Sequence, residues 1–235
     1  MTMMLASVRS LDEALIALEG GADLIDLKEP SRGALGALDH AAVRICVQAI
    51  GGRRPVSATI GDLPSMDPQT MTDAVERMAS TGVDFIKIGF FSHPRAFDCA
   101  NALSQLASCV RMVAVLFADE PYELSLMDQL ARNGFAGAML DTADKTGKTL
   151  GDLRSGNELA EFSTRSRSSG LLTGLAGSLR QEDIPRLLAI GPDYLGFRGA
   201  LCRNGDRGRS LDRDTFAKIR AAIPQGGTQY RRAAA

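Results

Sequence analysis

Apolar residues recur in short blocks along the chain, and each block is followed by a longer stretch with helical periodicity. The blocks are nearly continuous in apolar character, as expected for parallel strands covered on both faces. They are MMLASV (3–8), DLIDLK (23–28), PVSATI (55–60), DFIKIGF (84–90), RMVAVLF (111–117), GAMLDT (137–142), LLTGLAG (171–177) and YLGFRG (194–199). The pattern therefore predicts an α/β fold with eight parallel strands.

The stretches between the blocks predict helices, several with recognisable start signals. They begin near Leu11, His40, Pro68, Arg95, Leu124, Asn157, Gln181 and Leu211. Ser10 with Glu13 fits a capping box, and Asp67 before Pro68 fits an N-cap followed by proline at the first helical position.

Eight strand–helix units in 235 residues predict a single-domain (β/α)8 TIM barrel over 1–223, with a flexible C-terminal tail at 224–235. An open doubly wound sheet is the minority alternative. It would normally carry a glycine-rich dinucleotide turn after its first strand, and the segment SVRSLDE has no glycine.

Composition and charge narrow the function classes. Apolar residues make up 45%, and 27 basic residues nearly balance 28 acidic ones. This balance gives no reason to expect nucleic acid or a membrane as partner, and no apolar run approaches the roughly 20 residues that a membrane span needs. No secretory signal is expected either. We expect a cytoplasmic enzyme that acts on a small molecule and forms a homo-oligomer, as barrels often do.

Cysteine and histidine usage argues against a metal centre. The cysteines, which lack zinc-ligand spacing and the density of a disulfide scaffold, are Cys46, Cys99, Cys109 and Cys202. We expect free thiols in a reducing cytosol. The only histidines are His40 and His93, so we expect neither a metal site nor a cofactor.

Charged residues interrupt the even-numbered strands or follow them directly. They are Asp26 and Lys28 in the second strand, Lys87 in the fourth, Asp141 with Lys145 and Lys148 at and after the sixth, and Arg198 in the eighth. In such barrels alternate strands supply one layer of side chains, and the active site lies at the carboxyl ends of the strands. These charges are therefore expected to face one another in a cavity at the barrel mouth.

Clustered lysines have a specific chemical use. Burial and a neighbouring cation both disfavour the ammonium form, and a neutral amine can add to a carbonyl to form a Schiff base. The alternative is that Lys28 or Lys87 is merely salt-bridged, with Asp26 and Lys28 neutralising each other. Lys145 and Lys148 lie in a loop, where a solvated charge is the default.

Glycines after the last two strands predict a phosphate site. Loops seven and eight commonly hold phosphate in these barrels, and the candidates are Gly177, Ser178, Arg198 and Gly199. The alternative is that the glycines only permit tight turns. The nearby arginines, expected to add positive field without touching ligand, are Arg203, Arg207 and Arg209.

Other polar residues near strand ends are less decisive. Thr59 and Asp62 follow the third strand and could contact substrate or orient a lysine, although Asp62 fits a turn equally well. His93 is expected to be structural or at the rim, and the roles of Asp119 and Glu120 stay open.

Several motifs in order carry a family resemblance. They are GGADLIDLKEPSRGALGA, SATIGDLP, GVDFIKIGFF, MLDTADKTGKTL, LAGSL and FRGALCRNGDR. Together they resemble the (5-formylfuran-3-yl)methyl phosphate synthase family, from the first strand through the loop after the eighth. The loop FFSHPRAF and the segment around Asp119–Tyr122 differ from archaeal members, which bears on second-substrate contacts.

The resemblance implies a (β/α)8 enzyme of methanofuran biosynthesis that condenses two molecules of glyceraldehyde 3-phosphate with loss of phosphate and water. It places the Schiff base on Lys28 and the proton acceptor on Lys87, with Asp26, Asp141 and Lys145 completing the catalytic set. Two enzymatic alternatives are another class I Schiff-base aldolase and a triose-phosphate-type isomerase. A catalytically silent barrel is the non-enzymatic alternative.

Overall fold

The chain folds as a closed barrel of eight parallel strands. The structure, a computed structural model, describes residues 1–145 and 147–224. Neighbours in sequence pair in order, and the first strand pairs with the eighth to close the ring. The strands are β1 (Met3–Val8), β2 (Leu24–Leu27), β3 (Val56–Thr59), β4 (Phe85–Phe90), β5 (Met112–Phe117), β6 (Gly137–Asp141), β7 (Leu172–Leu175) and β8 (Tyr194–Phe197). The predicted single-domain (β/α)8 class is confirmed, and the open-sheet alternative is wrong.

Helices cover the outside of the ring. Those in the described residues are α1 (Leu11–Glu19), α2 (His40–Ile50), α3 (Pro68–Ala79), α4 (Ala96–Leu103), α5 (Ser125–Arg132), α6 (Leu150–Leu153), α7 (Gly156–Ser168), α8 (Ile184–Ile190) and α9 (Arg213–Ala222). Short 3₁₀ turns include Pro30–Arg32 after β2 and Gly199–Leu201 after β8. None of these helices has the length and apolar character that a bilayer crossing requires. Residues 225–235 of the predicted tail lie outside the described part of the chain.

The predicted helix starts are close to those observed, with one instructive exception at α1. Asp67 caps α3 by accepting a hydrogen bond from the Thr70 amide at 2.9 Å, as predicted. Ser10 accepts from the Glu13 amide, but the Glu13 carboxylate does not return to the cap. It accepts instead from the Arg9 amide at 2.9 Å and pairs with Arg198. The capping-box prediction is therefore half right, because a tertiary ion pair outcompetes the local bond.

Aspartates that directly precede three of the strands form hydrogen bonds at the amino-terminal end of the barrel. Asp23 accepts a hydrogen bond from the Met4 amide, and Asp84 accepts one from the Val56 amide. Asp193 accepts from the amide and hydroxyl of Thr173. Each aspartate directly precedes an even-numbered strand and bonds the odd-numbered strand before it. These bonds satisfy strand-end donors far from the carboxyl ends, where the charged residues of the sequence analysis lie.

The barrel interior changes from apolar to charged along its axis. A buried apolar cluster that includes Leu24, Phe85 and Tyr194 fills the amino-terminal part. Gly174 makes room for this packing, since a Cβ there would lie 2.3 Å from the Tyr194 ring. With that end filled by side chains, a ligand can reach the interior only from the carboxyl end.

Candidate active site

A cavity of about 780 Å³ opens at the carboxyl ends of the strands. Four of the predicted catalytic residues line it, namely Lys28, Lys87, Asp141 and Lys145, and Asp26 lies directly beneath. The four predicted phosphate residues line it too, namely Gly177, Ser178, Arg198 and Gly199. The structure thus gathers the residues that the alternation of strands was expected to bring together.

Asp26 and Lys87 form the deeper of two ion pairs. The Lys87 ammonium donates to Asp26 Oδ2 at 3.0 Å, and both side chains are almost fully buried. Ser7 and Ser57, from the strands on either side of β2, donate to the same carboxylate at 2.8 and 2.6 Å. Burial alone would raise the pKa of Asp26, but Lys87, Lys28 and the serine hydroxyls together hold it below its ordinary value. Asp26 is therefore a fixed anion that positions Lys87.

Asp141 is shared by two lysines at the cavity wall. Lys145 donates to Asp141 Oδ1 at 2.5 Å, while the Lys28 ammonium lies 3.8 Å from Oδ2. Burial works against ionisation of Asp141, but the fields of Lys145 and Lys28 outweigh it and lower the pKa of this carboxyl well below its ordinary range. One carboxylate thus serves two cations, so neither lysine is fully neutralised.

Lys28 is the most chemically perturbed amine of the site. The pKa of Lys28 is lowered from 10.5 to about 8; burial is the largest cause, Lys145 and Lys87 add to it, and Asp141 and Asp26 oppose it. A pKa near 8 leaves a substantial neutral fraction at physiological pH. Lys28 is therefore equipped to act as a nucleophile, beyond the simple Asp26–Lys28 neutralisation considered as an alternative.

Reductive trapping of a carbonyl compound on Lys28 should depend on pH in a defined way. Because the pKa is lowered, the amine loses its proton as pH rises through about 8, and the trapping rate should level off above that point. An unperturbed lysine would keep gaining reactivity to beyond pH 10. The measurement is the rate of adduct formation with cyanoborohydride, followed by mass spectrometry between pH 6 and 10.

A Lys145→Met variant provides the control for that profile. It removes a cation that lowers the pKa of Lys28 and frees Asp141 to attract the remaining ammonium. The midpoint should therefore move to higher pH. A midpoint that stays in place would contradict the arrangement of charges described above.

The loop that carries Lys145 is held by Asp119, a role that the sequence analysis left open. Asp119 follows β5, and its two carboxylate oxygens accept from the amides of Ala143 and Asp144 at 2.8 and 2.7 Å. Lys145, the next residue, also donates to Thr142 Oγ1 at 3.0 Å. Lys148 is exposed and does not line the cavity, so Lys145 is the loop lysine that reaches the site.

Replacing Asp119 with alanine should lower turnover by roughly 10- to 100-fold, since a displacement of about 1 Å in a catalytic group has effects of that size. The loop would lose both acceptors for its amides, and Lys145 would lose its fixed approach to Asp141. Steady-state kinetics give the magnitude. A Glu123→Ala change in the same β5 loop provides the control, because Glu123 bonds Ser125 outside the cavity. Equal losses in the two variants would argue against a specific role.

Two predicted substrate contacts, Thr59 and Asp62, have side chains that are bonded to backbone groups. Thr59 is fully buried and donates to the Gly36 carbonyl at 3.0 Å. Asp62 accepts from the amides of Ala34 and Leu35, both at 3.0 Å. Neither residue lines the cavity. Thr59 and Asp62 instead shape the loop after β2, directly beyond Lys28.

Arg198, a predicted phosphate ligand, lines the cavity and anchors the loop after β8. Its guanidinium bonds both oxygens of Glu13, at 2.5 and 3.3 Å, and the Ser7 carbonyl at 3.2 Å. The remaining donors reach the carbonyls of Arg207 and Arg209 at 3.0 and 2.9 Å. All five donors are used within the protein, so none remains for a ligand. The sequence showed an arginine at a strand end, but not the distant Glu13 that neutralises it.

The glycine-rich loops after β7 and β8 retain the features of an anion site. Within 1–145 and 147–224, the amides of Ser178, Gly199 and Ala200 donate to no protein acceptor. Ser178 adopts a left-handed backbone with φ of 50°, unusual for a residue with a side chain. A Cβ on Gly177 would lie 2.8 Å from Thr142, so glycine is needed where β7 approaches the Lys145 loop. Phosphate binding here remains a prediction.

The sequence of the chain matches a known protein family over most of its length. A family model described as 4-HFC-P synthase matches residues 4–220.

The chain belongs to the 4-HFC-P synthase family.

The family resemblance inferred from the motifs is thereby confirmed, and the chain is a member of an enzyme family. Its similarity extends along nearly the whole length of individual relatives. A Methylorubrum extorquens protein that bears the (5-formylfuran-3-yl)methyl phosphate synthase name provisionally is 46% identical, over 95% of this chain and 92% of its own. The synthases of Methanopyrus kandleri and Methanocaldococcus jannaschii are 38% and 36% identical, over 92% and 93% of this chain. They are covered over 95% and 98% of their own lengths.

Solved structures place the 4-HFC-P synthase family member among other barrel enzymes. A phosphoribosyl anthranilate isomerase of Thermococcus kodakaraensis superposes with a TM-score of 0.67 at 17% identity, covering 96% of this chain and all of that one. A 3-hexulose-6-phosphate synthase superposes with a TM-score of 0.65 at 18% identity, covering 94% of this chain and 100% of that one. At such low identity these likenesses support the fold alone.

Proposed function

We propose that the protein condenses two molecules of glyceraldehyde 3-phosphate to (5-formylfuran-3-yl)methyl phosphate through a Schiff base on Lys28, in biosynthesis of a methanofuran-type C1 carrier. The observation that carries the proposal is a buried amine with a pKa near 8 that opens onto the cavity. Relatives over almost the full length bear the name of this synthase. Together these findings support a Schiff-base enzyme over a silent barrel.

The proposed reaction begins at Lys28. Its neutral amine adds to the aldehyde carbon of one triose phosphate, and loss of water gives an iminium. The iminium withdraws electrons from the neighbouring carbon, whose proton passes to the Asp141 carboxylate, giving an enamine. Asp141 stays ionised because its pKa is lowered, and it lies 3.8 Å from the Lys28 nitrogen. This carboxylate is thus within the reach of a substrate bound to Lys28.

The later steps balance without any redox partner. Phosphate leaves from one triose, the enamine carbon bonds to the aldehyde carbon of the second triose, and ring closure with dehydration and release from Lys28 gives the furan. Two three-carbon phosphates thus yield one six-carbon phosphate, one inorganic phosphate and two waters. No metal or organic cofactor is required by this chemistry.

The charge balance of the cavity supports phosphorylated substrates. Lys87 is matched by Asp26 and Arg198 by Glu13, whereas Lys28 and Lys145 share Asp141. An uncompensated positive charge in a partly closed cavity attracts anions. The amides of Ser178 and Gly199 offer additional donors suited to a phosphate.

Incubation with glyceraldehyde 3-phosphate alone tests the proposal. The furan product, followed by its absorbance, and free phosphate should form in equal amounts, with no second substrate and no added metal. A triose-phosphate-type isomerase would give a ketose phosphate without phosphate release. A different aldolase would need another carbonyl acceptor. The proposed reaction would be refuted if furan and an equal amount of phosphate did not form.

A further inference from the structure

Arg207 is a half-buried arginine at the cavity for which the sequence analysis expected no ligand contact. Asn204, Gly205 and Asp206 of the same loop line the cavity as exposed residues, whereas Arg207 lines it with a half-buried side chain. Its guanidinium donates to the Gly33 carbonyl at 3.0 Å. Within residues 1–145 and 147–224, it makes no ion pair with a carboxylate and no other side-chain hydrogen bond.

Carboxylates nearby are already committed to other groups. Asp206 accepts from Arg209 and from the Gly208 amide, and Asp62 accepts from two backbone amides of the β2 loop. Burial lowers the pKa of Arg207, and the charge of Asp141 opposes that shift. A guanidinium with unused donors beside an open cavity is suited to bidentate binding of phosphate.

The protein holds Arg207 in place through its buried anchor. Arg198 bonds the carbonyls of Arg207 and Arg209, so the loop after β8 is fastened on both sides of Gly208. A Cβ on Gly199 would lie 3.0 Å from the Gly205 carbonyl, which shows how closely this loop folds back on the strand end. Arg207 is therefore presented by a fixed backbone, although the loop itself is largely exposed.

We propose that Arg207 binds the phosphate of a substrate at a second anion position, separate from the amide of Ser178. The bond to Gly33 places the guanidinium at the loop after β2, whereas Ser178 follows β7. These loops are three strands apart around an eight-stranded ring, nearly on opposite sides of the mouth. This inference rests on the proposed function, which brings two phosphates into one cavity.

Calorimetric titration of the full chain with glycerol 3-phosphate tests the proposal without turnover, since this probe has no carbonyl and forms no Schiff base. An Arg207→Gln change should weaken binding by roughly tenfold or more, because a bidentate charged contact is lost. Arg207→Lys should recover part of the affinity. The matched control is Arg209→Gln in the same loop, whose side chain is exposed and pairs with Asp206; its affinity should stay that of the unaltered protein.

Crystals soaked in glycerol 3-phosphate distinguish one anion position from two. A phosphate within hydrogen-bond distance of the Arg207 guanidinium, apart from one on the Ser178 amide, supports the proposal. Phosphate at the amides alone, or equal affinities for Arg207→Gln and Arg209→Gln, overturns it. If the unaltered protein forms no furan, the proposed reaction is refuted, but the titration result is unaffected. The proposed reaction and the role of Arg207 can therefore fail separately.

Discussion

A Lys28→Arg variant should lose furan formation by about 10⁴-fold or more, since removing a covalent nucleophile leaves only binding and electrostatic contributions. Arginine keeps a positive charge near Asp141 but cannot form a Schiff base at any accessible pH. The measurement combines initial rates with mass spectrometry after borohydride reduction in the presence of glyceraldehyde 3-phosphate. The unaltered protein should gain one triose adduct, and peptide mapping should place it on Lys28.

Trapping in the variant decides whether the nucleophile has been assigned correctly. A borohydride-stable adduct on another lysine of Lys28→Arg, with turnover preserved, would transfer the role to that residue. Lys148→Arg is the matched control, because Lys148 is exposed and lies outside the cavity. It should keep both the rate and the adduct.

An Asp26→Leu variant should lose about 3–5 kcal/mol of unfolding free energy, because Lys87 would remain as an unpaired charge in the barrel interior. Both partners are almost completely buried and 3.0 Å apart, so solvent cannot replace the lost carboxylate. Urea denaturation gives the change in unfolding free energy. The variant should also lose activity, since Lys87 would no longer be positioned.

The double variant Asp26→Leu, Lys87→Met separates the charge effect from the packing effect. With both charges removed, much of the lost stability should return, whereas activity should not. Recovery should be incomplete, because Ser7 and Ser57 still lack their acceptor. For comparison, Arg213→Gln breaks an exposed pair with Glu19 and should cost less than about 1 kcal/mol. A double variant no more stable than Asp26→Leu would show that charge burial is not the dominant cost.

The barrel and its lysine cluster could be predicted because both follow from regular patterns. Apolar strands of four to six residues alternate with amphipathic helices, and this period permits few folds. Side-chain alternation then places Asp26, Lys28 and Lys87 on the inner face without knowledge of any long-range contact. Most strands were predicted one or two residues too long at one or both ends, as with 23–28 against Leu24–Leu27 and 194–199 against Tyr194–Phe197.

Local sequence patterns say least where a contact joins distant parts of the chain. Arg198 and Glu13 are 185 positions apart, and no local pattern announces that they pair. Thr59 and Asp62 stand at a strand end like catalytic residues, but their partners are backbone groups of another loop. Ser7 and Ser57 did leave a signal, because polar residues at inward positions of apolar strands need a buried partner.

The aspartates after β3 and β5 have a consequence for engineering this barrel. Asp62 accepts hydrogen bonds from the loop after β2, which follows Lys28, and Asp119 accepts them from the loop after β6, which carries Lys145. Grafting either of these two loops alone from a homologue would separate the loop from the aspartate that holds it. New specificities should therefore be sought by exchanging adjacent loop segments in pairs. Each loop is then transferred together with the aspartate that accepts hydrogen bonds from its amides.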